Sequence, residues 1–317
     1  MEDLIADEDV VITISHSGYI KRVPMDTYKS QKRGGKGITG MTTKEEDFVE
    51  QLFITSTHNY LMFFTNTGKC YRLKVYDIPE TSRTAKGTAI INLININNEE
   101  KITAVISVKD FSEEKYLLAA TRHGYVKKTV LNEYDSSRKD GLIAINLEEG
   151  DELVKVVLTD GKQELILVTA QGMSIRFSEE EVRPIGRTGQ GVHGIKLTKG
   201  DHVQAMDMVR SDAQVLVITE NGYGKRTSID EYRPQSRGGK GIQTIKESKR
   251  NGDIVDMLIV KNGEEIMVVT TEGIIIRLEV SGITSSGRAT MGVMLMRLNE
   301  NDKVIAMAKV INDNNVN

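Results

Sequence analysis

Val215-Leu-Val-Ile-Thr-Glu-Asn-Gly-Tyr-Gly-Lys-Arg226 is one copy of a pattern that the chain writes six times: an apolar run, Thr or Ser, a polar residue or two, Gly, then a basic residue. The other copies are Val10–Arg22 about Gly18, Leu61–Arg72 about Gly68, Leu117–Lys128 about Gly124, Leu165–Arg176 about Gly172 and Ile266–Arg277 about Gly273. A second glycine follows each, at 37, 87, 141, 191, 241 and 292. Six units of about 50 residues are therefore the organising feature of the chain. Runs such as Leu165-Ile-Leu-Val are too short for helices and apolar at every position, which predicts strands buried on both faces. Ser17-Gly18, Asn66-Thr-Gly68 and Asn221-Gly222 read as hairpin turns, with the basic residues on the returning strand.

An apolar anchor lies ten residues after the glycine in five units (Tyr28, Tyr134, Val182, Tyr232, Ile283). Further strands are expected at Ile90-Ile-Asn-Leu93, Val293-Met-Leu-Met296 and Val203-Gln-Ala-Met-Asp-Met-Val209. Four strands per unit and no convincing helix predict an all-β, six-bladed, propeller-like disc. The chain enters at the apolar run of the first unit and ends on Val304-Ile-Ala-Met-Ala-Lys-Val310, of the type that precedes that run elsewhere. This predicts that the C-terminal strand completes the first blade and closes the ring. Residues 1–311 then form one domain, because no blade buries both faces alone. The Asn-rich stretch 312–317 reads as a frayed tail.

Overall charge is nearly balanced, with 42 Lys and Arg against 45 Asp and Glu, which by itself argues against a nucleic-acid partner. Its distribution argues the reverse. Between the paired glycines the net charges are +5 (18–37), +3 (68–87), +1 (124–141), 0 (172–191), +3 (222–241) and +1 (273–292), totalling +13 against −16 elsewhere. In a radial array that phase falls on one circle, so a basic belt is expected around the disc. Such a belt suits a polyanion held through its phosphates, with each contact releasing counterions. No recognition helix is present, so contacts to the DNA backbone and a preference for deformable DNA are expected. Lys21, Arg22, Arg72, Arg83, Lys86, Lys127, Lys128, Lys225 and Arg226 are the expected cations of that belt. Tyr19, Tyr125 and Tyr223 follow hairpin glycines and are expected to pack beside the turns, since a duplex offers no free base faces.

The lone cysteine, Cys70, rules out an internal disulfide and fits a reducing cytoplasm. No apolar run approaches a membrane span, and the acidic N-terminus is unlike a signal peptide. The five histidines show no metal-ligand or triad spacing. No catalytic residue is expected.

The most basic station is Gln31-Lys32-Arg33-Gly34-Gly35-Lys36-Gly37, with a near copy at Gln235-Ser-Arg237-Gly-Gly-Lys240-Gly241. Three glycines in seven positions expose backbone N–H groups beside cations, which favours phosphate. A nucleotide P-loop is excluded by the spacing and by the lack of a following helix. Together with His16-Ser-Gly-Tyr-Ile-Lys-Arg22, the first heptapeptide closely resembles the signature box of the C-terminal domains of DNA gyrase A subunits. The resemblance covers essentially the whole chain. It implies a β-pinwheel whose blades exchange strands, and double-stranded DNA wrapped in a positive sense around the perimeter, so that gyrase introduces negative supercoils. It also implies two partners, the gyrase B subunit together with the rest of the gyrase A subunit. ATP and Mg serve other parts of that enzyme, so the chain itself needs no cofactor, and the isolated domain is expected to be monomeric. Lys32 stands where the family usually has Arg, which alters bidentate phosphate contact. Alternative readings are a topoisomerase IV C-terminal domain, a propeller-like protein-interaction scaffold, and a propeller enzyme with a site on its axis. The first is disfavoured by the box, the second by the basic belt and the third by the absence of recurring acidic or His residues at one phase.

Overall fold

The computed structural model describes residues 2–26, 47–136, 138 and 141–310. Six antiparallel sheets stand as blades in a ring. Five have four strands and the sixth has three among the described residues. The two central strands of each are the predicted hairpin, as in Gln214–Thr219 with Tyr223–Ser228, paired Leu216 to Arg226. The apolar runs are buried as expected: Leu165, Ile166, Leu167 and Val168 expose none of their surface.

The turn explains the Thr or Ser of the pattern. Gly222 takes φ +86° and its N–H donates to the Thr219 carbonyl, while the Thr219 hydroxyl accepts from the N–H of Tyr223. Ser15, Thr65, Thr121, Thr169 and Thr270 accept in the same way from the residue four positions on. An acidic side chain, which the repeat pattern does not reveal, seats the turn from below. Asp47, Asp151, Asp201 and Asp302 each accept from the turn N–H of Ser17, His123, Gln171 and Glu272, respectively.

The innermost strand of each blade is the one that follows its own hairpin in the chain: Val49–Ser56 in the first blade and Val304–Lys309 in the sixth. The expectation that the final strand completes the first blade is therefore corrected, since Val304–Lys309 pairs with Glu265–Thr270 of its own unit. The first blade already owns an inner strand. What a blade borrows is its outermost strand, a two-residue segment lent by the next unit. Thr88–Ala89, Leu142–Ile143, Val192–His193, Ile242–Gln243 and Val293–Met294 join blades one to five in turn. These segments are shorter than expected, and Ile90–Asn92 forms a 3-10 turn rather than a strand. The corresponding sequence positions of the first unit, 38 and 39, fall outside the described residues.

Cores lie between blades. Val10, Ile12 and Ile14 of the first pack on Leu61, Phe63 and Tyr71 of the second, and the same arrangement recurs around the ring. Between the sixth blade and the first, Phe48 packs on Met267, Val269 and Ile275. Short 3-10 turns precede the anchors, and Ile78, Tyr134, Val182, Tyr232 and Ile283 are buried. Tyr28 lies outside the described residues. At the axis a cavity of about 380 Å³ is bordered by Lys155, Asp207 and Asp256. The two carboxylates accept from the N–H groups of Ile259 (2.8 Å) and Met307 (2.9 Å) in the next blade, so they stitch inner strands together. Burial pushes Asp256 up to about 6.

Four of the second glycines, Gly87, Gly191, Gly241 and Gly292, are required where the borrowed segment meets its host. A Cβ on Gly87 would stand 2.5 Å from the Ile20 carbonyl oxygen and one on Gly292 2.6 Å from that of Gly224; Gly241 is closer still to Ser174. Gly263 has a similar φ but open space around it. Gly263→Ala is expected to cost about 1–2 kcal/mol, the left-handed backbone penalty alone. Gly241→Ala should cost about 1–3 kcal/mol more through the clash. Urea unfolding of the two variants measures the difference, and equal losses would contradict the close approach.

Candidate nucleic-acid interface

The borrowed segments and the loops before them, such as 233–241, form the outer edge of each blade, because they pair with the returning hairpin strand on its free side. That strand carries the predicted belt cations at its third and fourth positions. They point into the seam between hairpin and loop. The Lys21 ammonium donates to the carbonyls of Arg83 and, at 2.9 Å, Ala85. Lys127 donates to those of Arg187 and, at 2.6 Å, Ala144. Lys225 donates to Gly287 (2.7 Å) and Arg288 (2.6 Å). At the fourth position Arg22 donates to Ile78 O (2.8 Å), Lys128 to Glu179 O (2.9 Å), Arg176 to Tyr232 O (3.0 Å) and Arg226 to Ile283 O (2.6 Å).

Apart from the Lys127 contact to Ala144 in its own unit, these cations clasp the backbone of the next unit. Lys127 and Lys225 expose 1% and 0% of their surface and Lys128 only 4%, so the assignment of these three to the DNA-contacting belt is corrected. Lys21, Arg22 and Arg226 are half-buried in the same clasp. A cation recurring at one phase is what a repeated internal clasp produces as readily as a repeated external contact. Arg72 is also half-buried, its guanidinium 5.1 Å from the Tyr60 ring and 5.3 Å from the Phe111 ring.

The second glycine-rich heptapeptide is fully described. Arg237 is half-buried and donates to His193 O (2.7 Å) and Glu181 O (3.3 Å). Gly238 takes φ +82° and its N–H donates to Gly194 O at 2.9 Å. Arg187 and Arg288 stand in the same place in their units and donate to Ile143 O and Gln243 O. The arginine of the heptapeptide thus secures the short outermost strand of the neighbouring blade. The exposed cations of the described rim loops include Arg233 and Lys240, Arg138 and Arg183 in the equivalent loops of their units, and Lys86 on the second unit's loop, 4.1 Å from the Tyr19 ring; Arg83 is half-buried. Gln31, Lys32, Arg33, Gly34, Gly35, Lys36 and Gly37 lie outside the described residues.

Tyr19, Tyr125 and Tyr223 pack at the turns, Tyr125 stacked on His193 at 4.7 Å and Tyr223 under the Arg250 guanidinium at 4.2 Å. The structure also gathers His123, Glu148 and Asp151, which are too far apart in sequence to suggest a metal. Glu148 is 2.6 Å from the His123 ring, and Asp151 is one of the four turn seats.

The family described as DNA gyrase C-terminal domain, beta-propeller, matches residues 9–56, 59–109, 115–160, 163–210, 213–261 and 264–311, one segment per blade. The chain belongs to this family. It is 54% identical to the DNA gyrase A subunit of Clostridium acetobutylicum over 99% of its own length and 38% of that protein's. It is 58% identical to that of Halalkalibacterium halodurans, over 98% and 37%. The chain thus spans well under half the length of these relatives. The crystal structure of the C-terminal domain of DNA topoisomerase IV superposes with a TM-score of 0.87 at 31% identity, covering 97% of this chain and 94% of that one. A DNA gyrase A C-terminal domain gives 0.70 at 28%, covering 96% and 100%. Among the described residues no helix is long and apolar enough to cross a membrane.

Burial holds Lys127 down to about 7 and Lys225 to about 8. For Lys127 the folded value lies below the unfolded one of about 10.4. The penalty on its ammonium is therefore complete below about 7, shrinks as pH rises, and is gone above the unfolded value. The wild type should gain stability relative to Lys127→Met between pH 7 and pH 10. Denaturant midpoints of both proteins at the two pH values provide the check, and a constant gap would refute it.

Proposed function

We propose that this chain is the DNA-wrapping module of a bacterial DNA gyrase, holding duplex DNA around its rim without reading sequence. The observation that carries the reading is the family membership, joined to a rim whose loops bring Lys86, Arg233 and Lys240 to the surface. Phosphate contacts from such cations are independent of sequence and strongly dependent on salt. Bending a duplex through 40–90° costs on the order of 1–6 kcal/mol, so several stations in series are needed. In this reading the heptapeptide at 31–37 is one station and that at 235–241 another. The module acts with a gyrase B subunit, where ATP is used with Mg, together with the rest of a gyrase A subunit. Its compartment is the cytoplasm, and alone it is a monomer of one domain. The two gyrase relatives above 50% identity favour gyrase over topoisomerase IV, whose C-terminal domain shares the fold.

End-to-end energy transfer across a short labelled duplex, followed as protein is added over a salt series, tests the reading. Bending at low salt that fades as salt rises is expected. Absence of bending, or affinity indifferent to salt, would overturn it.

The clasp separates two residues of one heptapeptide. Lys240→Ala should leave the melting temperature unchanged and flatten the salt slope by about one unit. Arg237→Ala should destabilise the fold by about 0.5–1.5 kcal/mol, because it removes the hydrogen bonds that hold His193 O of the lent strand and Glu181 O. Thermal melting and salt-dependent binding of both variants are the measurements; identical behaviour would contradict the division of labour.

A further inference from the structure

The outermost strands carry apolar side chains that their neighbours leave about half uncovered. Ile143 is 46% exposed, Val192 36%, Val293 41% and Met294 50%. They stand on the rim of blades two, three and five, each within a two-residue segment. The carbonyl of Ile143 is held by the Arg187 guanidinium, so the strand cannot swing inward to bury its side chain. A rim serving phosphates alone has no use for apolar groups, because phosphate oxygens offer them no contact.

The spacing of the blades suggests what they meet. A compact chain of 317 residues has a radius of gyration of about 20 Å, which for a disc puts the edge about 26 Å from the axis. A duplex lying on that edge has its own axis about 36 Å out. One-sixth of that circle is about 38 Å, close to the ~34–36 Å of one helical turn. Successive blades therefore meet the same groove of a wrapped duplex. The apolar surface that a duplex offers is the sugar wall and base-step edge of a groove. Where a bent duplex faces its protein, the minor groove is the one that accepts apolar wedges and attracts nearby cations.

Resting on the reading of the chain as a DNA-wrapping module, we propose that Ile143, Val192, Val293 and Met294 press into the inward-facing minor groove where blades two, three and five meet it, and set the bend. The exposed cations supply affinity.

The test uses this chain carrying Ile143→Ser, Val192→Ser and Met294→Ser together, and a duplex of about 30 base pairs labelled at both ends. Affinity should fall less than threefold and the salt slope should hold, while the energy-transfer change at saturation drops by at least half. Ile143→Leu, Val192→Ile and Met294→Leu together should bend as the wild type does. A serine variant that bends like the wild type, or one that loses salt slope and affinity together, overturns the inference. Should the triple serine variant melt early, Met294→Ser alone carries the same comparison. Failure of the wild type itself to bend the duplex overturns the wrapping reading instead.

Discussion

The structure depends on a strand that, among the described residues, five of its six blades do not own. Five blades finish on two residues lent by the following unit, and two ladder positions are too few to hold a strand in place. The clasp supplies the rest. Cations on the returning hairpin strand reach across the seam to the carbonyls of the incoming loop, and an arginine on the next loop reaches back to the lent strand. Glycines let the two backbones approach at distances that a Cβ would forbid. Since cores also form between blades, each blade is incomplete without its neighbours on both counts.

The clasp changes the meaning of the basic belt. A buried ammonium is tolerated only when hydrogen-bonded, and the carbonyls of an irregular loop, unpaired in any sheet, need donors of their own. One lysine satisfies two such carbonyls while fixing the loop's path. Much of the positive charge between the paired glycines therefore builds the rim, and a smaller share, typified by Arg233 and Lys240, faces outward. The cations hydrogen-bonded inside the rim tie its described loops to the hairpin strands they border.

The six units, hairpins, buried anchors and tyrosines packed beside the turns were all legible in the residues, because each is marked by a short local pattern that recurs at a fixed phase of the repeat. The turn seats at Asp47, Asp151, Asp201 and Asp302 were not, although an Asp two residues before four of the six inner strands was the available signal. Their partners lie about 30 residues back, beyond the reach of periodicity. The closing role given to Val304–Lys309 failed for a related reason. The phase of a repeat shows that a strand exists, and it leaves open whether its partner is in the same unit or the next.

By itself, the sequence determined the all-β class, the count of six, and the confinement of positive charge to one phase of the repeat, all of which follow from spacing along the chain. Only the tertiary structure decided which strand crosses between blades and which cations face outward. Lys225 and Lys240 sit 15 residues apart in one basic stretch, yet one is sealed in a seam and the other is exposed. The difference arises from a loop some 60 residues downstream, whose carbonyls receive the Lys225 ammonium, and no local pattern records it.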